Sequence, residues 1–373
     1  MQIYLTTFLT DVIIFFVIFF VMYRAGETGM SGGLCTLLGI SGSIGYIITS
    51  FVSGRVIRQK NCKQFLLAST VAGALACIAV FFSKSFALDL VLLFAFGMAN
   101  GFFFNAFQAF IRNSSSRADI FKTISMYTVA WSTGTAFGYL GSGSLYKLGP
   151  YALSFIIVLS AVWIVYIIRG KHCVDNSVVE EPEYPFGTDP VYLWIGWIII
   201  FAVTFTERAL QVFFPVLCAK SGISPFMAGL PLFLMMFTQG AFAMFFTKYK
   251  NLFYRKNLII TANIAAVLLL LVLWLFPYYP VYLAGFTLFG VYGAFTYFSS
   301  VLYANNHFEN RSLNVGINEA IVGIGAVIGV VISYVWMKFI PGAGSIYLGC
   351  ALLMILAIAA ILFFHRKPKA QHA

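Results

Sequence analysis

Apolar residues in this chain run in blocks of about twenty, and short charged clusters separate one block from the next. A hydrocarbon layer of about 30 Å is crossed by about 20 helical residues, so blocks of this length predict membrane-spanning helices. In the first half the spans run from Ile3 to Met22, Gly32 to Val52, Phe65 to Phe82, Leu88 to Ala109, Ile124 to Leu145 and Tyr151 to Ile168. In the second half they run from Val191 to Leu217, Ala228 to Thr247, Leu258 to Phe276, Val281 to Tyr303, Leu313 to Trp336 and Ile346 to Phe364. A spanning β-strand needs only about 9 to 11 alternating residues, so these continuous runs exclude a barrel. Between the two sets of six lies one long polar stretch, RGKHCVDNSVVEEPEYPFGTDP, from Arg169 to Pro190. Its prolines Pro182, Pro185 and Pro190 oppose a continuous helix and predict a tether. The expected fold class is an all-α membrane protein of twelve transmembrane helices in two six-helix bundles, residues 1–168 and 191–373. A linker over 169–190 joins them, and the second bundle ends in a short basic tail.

Composition agrees: 61% of the 373 residues are hydrophobic and 9% are charged, which a water-soluble globule could not keep. The opening MQIYLTTFLTDVIIFFVIFF has neither a basic n-region nor a small-residue cleavage site, so it reads as a retained first span. The net charge of +11 does not point to nucleic acid, because the basic residues sit in short clusters between apolar runs. Arg55, Arg58, Lys60 and Lys63, then Arg112, Arg117 and Lys122, then Lys248, Lys250, Arg255 and Lys256 all fall on one side of the predicted layer. The other side carries only Arg24, Lys84, Lys147, Lys220 and Lys338. By the positive-inside rule the rich side is cytoplasmic, which puts both termini and the linker there, in a plasma or inner membrane. Cys35, Cys62, Cys77, Cys173, Cys218 and Cys350 are scattered singly without CxxC or Cys/His spacing, so neither a metal site nor a cofactor is expected. The chain also has no GxxxxGK[ST] segment for nucleotide-driven pumping.

The halves repeat. At one constant offset Gly222-Ile223-Ser224 falls on Gly29-Met30-Ser31, Gly290 falls on Gly97, and the basic loop TKYKNLFYRK falls on GRVIRQKNCK. At an offset two positions shorter, Gly325 and Gly329 of span eleven fall on Gly134 and Gly138 of span five. Six spans per copy give both copies the same orientation, a parallel repeat.

Twelve spans in two parallel halves, a polar cytoplasmic linker and paired basic loops after spans two and eight resemble the major facilitator superfamily of secondary transporters. The resemblance covers the whole chain as topology. The loop after span two departs from the superfamily's pattern: Arg58 stands where Asp is expected and Asn61 where Gly is. Span four lacks the buried Arg of proton-coupled exporters, and span five lacks their Gly-Pro signature, since Phe137 precedes Gly138. These departures speak against proton-coupled export and leave the fold reading intact.

Asp11, Glu207 and Arg208 are the ionisable groups deepest in the predicted spans. Each costs about 2.5 to 3.5 kcal/mol at a helix centre, and three together approach the whole stability of a domain. The resemblance implies that spans one, four, seven and ten line a central cavity, which holds Asp11 in span one and Glu207 and Arg208 in span seven. Neighbours on a helix point about 100° apart, so Glu207 and Arg208 face different directions. The reading is that Asp11 pairs with Arg208 in one state and is released or protonated in the other, against a permanent structural pair or carboxyls facing a wet vestibule.

Span four offers Asn100, Phe104 and Gln108 on one face, with Asn105 beside it, and span ten offers Tyr292, Thr296, Ser300 and Tyr303 on one face, with Tyr297 beside it. Polar residues inside a span face protein or a water-filled cavity, so both stripes are candidates for substrate contact or for interhelical hydrogen bonds. Glu319 enters span eleven on the cytoplasmic side. In the resembled family the Asp of the loop after span two braces span eleven, so Arg55 or Arg58 with Glu319 forms a candidate charge-swapped latch, the alternatives being a partner for Arg311 or a solvated helix end. The glycines of spans five and eleven supply flat helix surfaces, which the resemblance places between the halves.

The functional reading is a secondary active transporter that moves a small organic solute by alternating access, as a monomer in the bilayer, with a proton or another ion as candidate coupling partner. A membrane enzyme would need His and Asp clustered at the membrane face, but His172, His307, His365 and His372 fall singly. A sensor or receptor that kept the transporter fold is the alternative.

Overall fold

A hydrocarbon layer offers the main chain no water to bond, so apolar blocks of this length must satisfy their N–H and C=O groups within helices. The computed structural model describes residues 2–58, 60–114, 120–170, 190–246, 248–249, 252–306, 311–340, 342 and 344–366. Among them are twelve α-helices and no strand. They are α1 (Gln2–Glu27), α2 (Gly32–Val56), α3 (Cys62–Phe82), α4 (Phe86–Ser114), α5 (Ile120–Leu145) and α6 (Pro150–Arg169), then α7 (Pro190–Lys220), α8 (Pro225–Phe246), α9 (Lys256–Leu275), α10 (Tyr279–Asn306), α11 (Arg311–Phe339) and α12 (Ser345–Arg366). The linker from 171 to 189 lies outside the described residues.

Eleven of the helices are long and apolar enough to cross a membrane, and α5 is not among them. It carries Ser125, Thr128, Ser132, Thr135 and Ser142, all buried, so its polarity is turned to neighbouring helices rather than to lipid. Several hydroxyls elsewhere are satisfied by their own helix. Thr36 donates to Gly32 O at 2.8 Å, Ser53 to Thr49 O at 2.6 Å and Thr204 to Ile200 O at 2.7 Å, so each sits in an apolar span without a stranded donor.

The repeat is visible in the turns. Gly29 and Gly222 have φ of 68° and 70°, a left-handed conformation that a side chain would strain. The next residues close the same cap, Met30 N–H donating to Ala25 O and Ile223 N–H to Cys218 O, each at 2.9 Å. Ser31 and Ser224 then accept from Leu34 N–H and Met227 N–H at 3.4 Å and start the following helices. One local solution is thus used twice, between α1 and α2 and between α7 and α8.

The glycines also repeat, with a correction to the sequence reading. Gly134 and Gly138 of α5 press on the main chain of α1 at Phe8 and Val12, and Gly325 and Gly329 of α11 press on α7 at Phe201 and Phe205. Both pairs therefore join helices of the same half, and only a minority of these glycines meet the other half, Gly143 at Pro225 and Gly323 at Ile47. The reason is spatial order: each half seats its first helix beside its fifth.

Contacts between the halves run along α1 with α7, α5 with α8 and α2 with α11. At the end farther from the chain termini these seams close. Tyr23 Oη donates to Ile223 O at 2.8 Å, and Lys220 Nζ donates to Met30 O at 2.9 Å. Arg24 stiffens the same end within the first half, pairing with Asp89 at 2.7 Å and donating to Ser83 O at 3.0 Å. Nearby, burial and a 2.7 Å hydrogen bond to Glu27 push the Tyr146 phenol above its usual range.

Candidate functional site

A cavity of about 190 Å³ lies between the halves. Seven helices line it: α1, α2, α4 and α5 from the first half and α7, α10 and α11 from the second. Among the described residues, helices α3, α6, α8, α9 and α12 contribute nothing to its wall.

Asp11 on α1 and Glu207 on α7 both reach the cavity and are 4% and 6% exposed. Asp11 Oδ2 and Glu207 Oε1 have no hydrogen-bond partner among the described residues. The Arg208 guanidinium sits over the Phe15 ring of α1, 5.5 Å from the centroid, and within electrostatic reach of Asp11, Glu207 and Tyr139. Arg208 thus crosses to the other half while Glu207 turns into its own, toward Gly293 of α10. Asp11 and Arg208 do not form an ion pair here; the pair formed among the described residues is Arg24 with Asp89.

From span four, Asn100 and Phe104 line the cavity, whereas the side chain of Gln108 lies outside the described residues. The span-ten stripe does not reach it. Tyr292 donates to Asn263 Oδ1 at 2.9 Å, Thr296 donates to Tyr292 O at 3.0 Å, Ser300 donates to Asn318 and Tyr303 to Phe253 O. Tyr292, Ser300 and Tyr303 thus bind α10 to its neighbours while Thr296 bonds its own helix, and Tyr297, one residue beyond Thr296, faces the cavity instead. The latch residues also separate. Glu319 lines the cavity and accepts from Tyr46 at 3.3 Å, while Arg55 and Arg58 are exposed at the α2–α3 connection. Two turns of α11 lift the carboxylate about 12 Å from that helix's start, away from the loop.

Further lining residues were passed over in the sequence. Gln211 follows Glu207 by one turn of α7, so helical spacing could have found it. Phe15, Phe96, Tyr46, Tyr127 and Trp131 were lost among the many aromatics of the chain. On the side nearer the termini, Trp131 of α5 packs on Tyr297 of α10 with centroids 4.7 Å apart, joining the halves next to the Tyr46–Glu319 bond.

The arrangement can hold a small solute between aromatic faces, with Asn100 and Gln211 for hydrogen bonds and three carboxyls against one guanidinium, a balance that disfavours an anionic solute.

A family model described as Major Facilitator Superfamily matches residues 3–193 and 196–373. No curated protein matches the sequence. Among solved structures, a crystal structure of the nucleoside transporter NupG is similar at TM-score 0.74 and 12% identity, covering 98% of this chain and 99% of that one. A single-residue mutant of NupG is similar at TM-score 0.71 and 14% identity, over 97% and 98% of the two chains. At these identities the likeness is one of fold.

Proposed function

The chain belongs to the major facilitator superfamily of secondary transporters, and we propose that its central cavity carries a small, flat, polar solute of nucleoside size by alternating access. The observation that carries this reading is the convergence of Asp11 from α1 with Glu207 and Arg208 from α7 in one buried cavity between the halves. Aromatic faces from Phe15, Phe104, Trp131 and Tyr297 suit a planar ring, and Asn100 and Gln211 suit its hydrogen-bonding edge. The nucleoside transporters of similar fold support that choice of solute class.

In this reading residues 1–168 and 191–373 rock as two units about the cavity, tethered by the linker. The cytoplasmic face is the one with the basic loops and both termini, the membrane is the cell's plasma or inner membrane, and the protein works as a monomeric carrier rather than an enzyme. Asp11 and Glu207 exchange a proton, and Arg208, held by neither in this conformation, stabilises whichever carboxylate is ionised.

Uptake of labelled uridine and adenosine into proteoliposomes, with and without an inward proton gradient, tests the reading. Gradient-stimulated uptake is expected, and its stimulation should vanish in Asp11→Asn or Glu207→Gln. A normal gradient response in both variants rules out the proton-carrier role, and absence of nucleoside uptake and counterflow rules out the solute class.

A further inference from the structure

Behind Glu207, on the side away from the cavity, α7, α8 and α10 bring two polar groups to one spot. A methyl group placed on Gly293 of α10 would lie 2.8 Å from Glu207 Oε1 and 3.1 Å from Gln239 Oε1. Gln239 of α8 is fully buried. Neither its Oε1 nor its Nε2 has a hydrogen-bond partner among the described residues, and neither does Glu207 Oε1. A buried amide without a partner is costly and uncommon. Two acceptor oxygens facing one space are satisfied together by a single proton, carried on the carboxyl and donated to the amide oxygen. When the carboxylate is ionised, the same amide satisfies it only by turning its N–H₂ toward it.

The next residue on α8 faces the other half of the protein. A methyl on Gly240 would lie 2.9 Å from Thr133 Cγ2 and 3.4 Å from Ser132 Cβ, both on α5. One turn further, Ser125 Oγ of α5 donates to Ala243 O of α8 at 2.9 Å. Helix α8 therefore brings one residue to the space beside Glu207 and its neighbour to the seam between the halves.

We propose that Gln239 is a positioning residue that registers whether Glu207 carries a proton and passes that state along α8 to the α5–α8 seam, with Gly293 leaving the space in which the two side chains meet. The proposal rests on the reading of Glu207 as a proton carrier and adds the element through which its charge reaches the moving interface. The charged and titratable groups around Glu207 are few. Arg208 on its own helix is directed to Phe15; Tyr139 on α5 and Tyr292 and Tyr297 on α10 are within electrostatic reach, and Tyr292 is committed to Asn263. Asp11 on α1 and Glu319 on α11 face the cavity rather than Gly293. Gln239 is the neutral group that shares the space at Gly293 with the carboxyl.

The test is infrared difference spectroscopy between acidic and alkaline pH on the full chain in lipid vesicles, with hydrogen–deuterium exchange of α5 and α8 peptides at the same two pH values. A carboxylic-acid C=O band is expected that is absent in Glu207→Gln and moves to higher wavenumber in Gln239→Met. The pH-dependent change in α5 and α8 exchange should be lost in Gln239→Met. Gly293→Ala is the second variant, because its methyl meets only the far ends of two flexible side chains and the helices need not part. It should shift the band in the same direction. If no band is lost in Glu207→Gln, the proton-carrier reading fails, and this proposal with it. If the band is lost there but stays in place in both Gln239→Met and Gly293→Ala, only this proposal is overturned. Unchanged pH dependence of α5 and α8 exchange in Gln239→Met overturns the link to the seam.

Discussion

Tyr23 of α1 bonds the carbonyl oxygen of Ile223, and Lys220 of α7 bonds that of Met30, so each half holds the other's turn at the repeat-equivalent position. Gly29-Met30-Ser31 and Gly222-Ile223-Ser224 are the same turn in the two copies, and a pseudo-symmetric pair of clamps closes this end of the cavity.

Removing the buried member of the pair should loosen that closure. Tyr23→Phe deletes a neutral hydrogen bond of about 1 kcal/mol, worth roughly fivefold in the equilibrium between closed and open ends. Lys220→Met should add less, because the ammonium is exposed and screened. Cys35 and Cys218, both buried beside these turns, report the change. Their labelling by a membrane-impermeant maleimide should rise severalfold in Tyr23→Phe and further in the double variant, and equal labelling in all three proteins would contradict the clamp.

On the opposite side of the cavity, Tyr46 of α2 donates to Glu319 of α11 across the halves. Tyr46→Phe removes the donor, whereas Glu319→Gln keeps an acceptor for it. The expected order in uridine exchange is therefore a loss of solute retention, seen as a KM raised about tenfold, in Tyr46→Phe and a smaller change in Glu319→Gln. The reverse order would assign Glu319 a charge-dependent role instead.

Helix α10 shows what the sequence could and could not tell. Periodicity correctly groups Tyr292, Thr296, Ser300 and Tyr303 on one face, but every side of a helix surrounded by other helices meets protein. Polarity then marks hydrogen bonding without naming the neighbour, and that face meets Asn263, Asn318 and Phe253. Asp11, Glu207 and Arg208 were legible because charge in a span is too costly to lie against lipid. Gln239 was not, since a neutral amide carries no such signature. The order of twelve helices was legible, because span length and turn chemistry are local properties, whereas the seating of α5 on α1 depends on shapes that meet only in the folded chain.

The two faces of α10 should separate experimentally. Tyr292→Phe leaves Asn263 Oδ1 without its donor and should lower the melting temperature, at a cost of about 1 to 3 kcal/mol, with affinity for the proposed solute retained. Tyr297→Leu removes a ring from the cavity wall and should weaken binding of the proposed solute about tenfold with little change in melting. Isothermal titration and thermal melting in detergent check both, and affinity loss in Tyr292→Phe with none in Tyr297→Leu would return the stripe to the substrate.

Glycine substitution distinguishes close helix approach from mere composition. At Gly329 an added methyl would meet the main chain of Phe205, which cannot move aside without parting α11 from α7, and at Gly138 it would lie 2.8 Å from Val12 O on α1. Gly329→Ala and Gly138→Ala should each destabilise by about 1 to 3 kcal/mol, the range of an overpacked core. At Gly316, exposed on the same helix α11, nothing lies within 4 Å of the added methyl. There the gain in helix propensity is unopposed, and Gly316→Ala should stabilise by about 0.5 to 1 kcal/mol. Thermal melting of the three variants decides: opposite signs at Gly329 and Gly316 follow from the helix contact, whereas stabilisation at all three sites would mean that these surfaces are not pressed together.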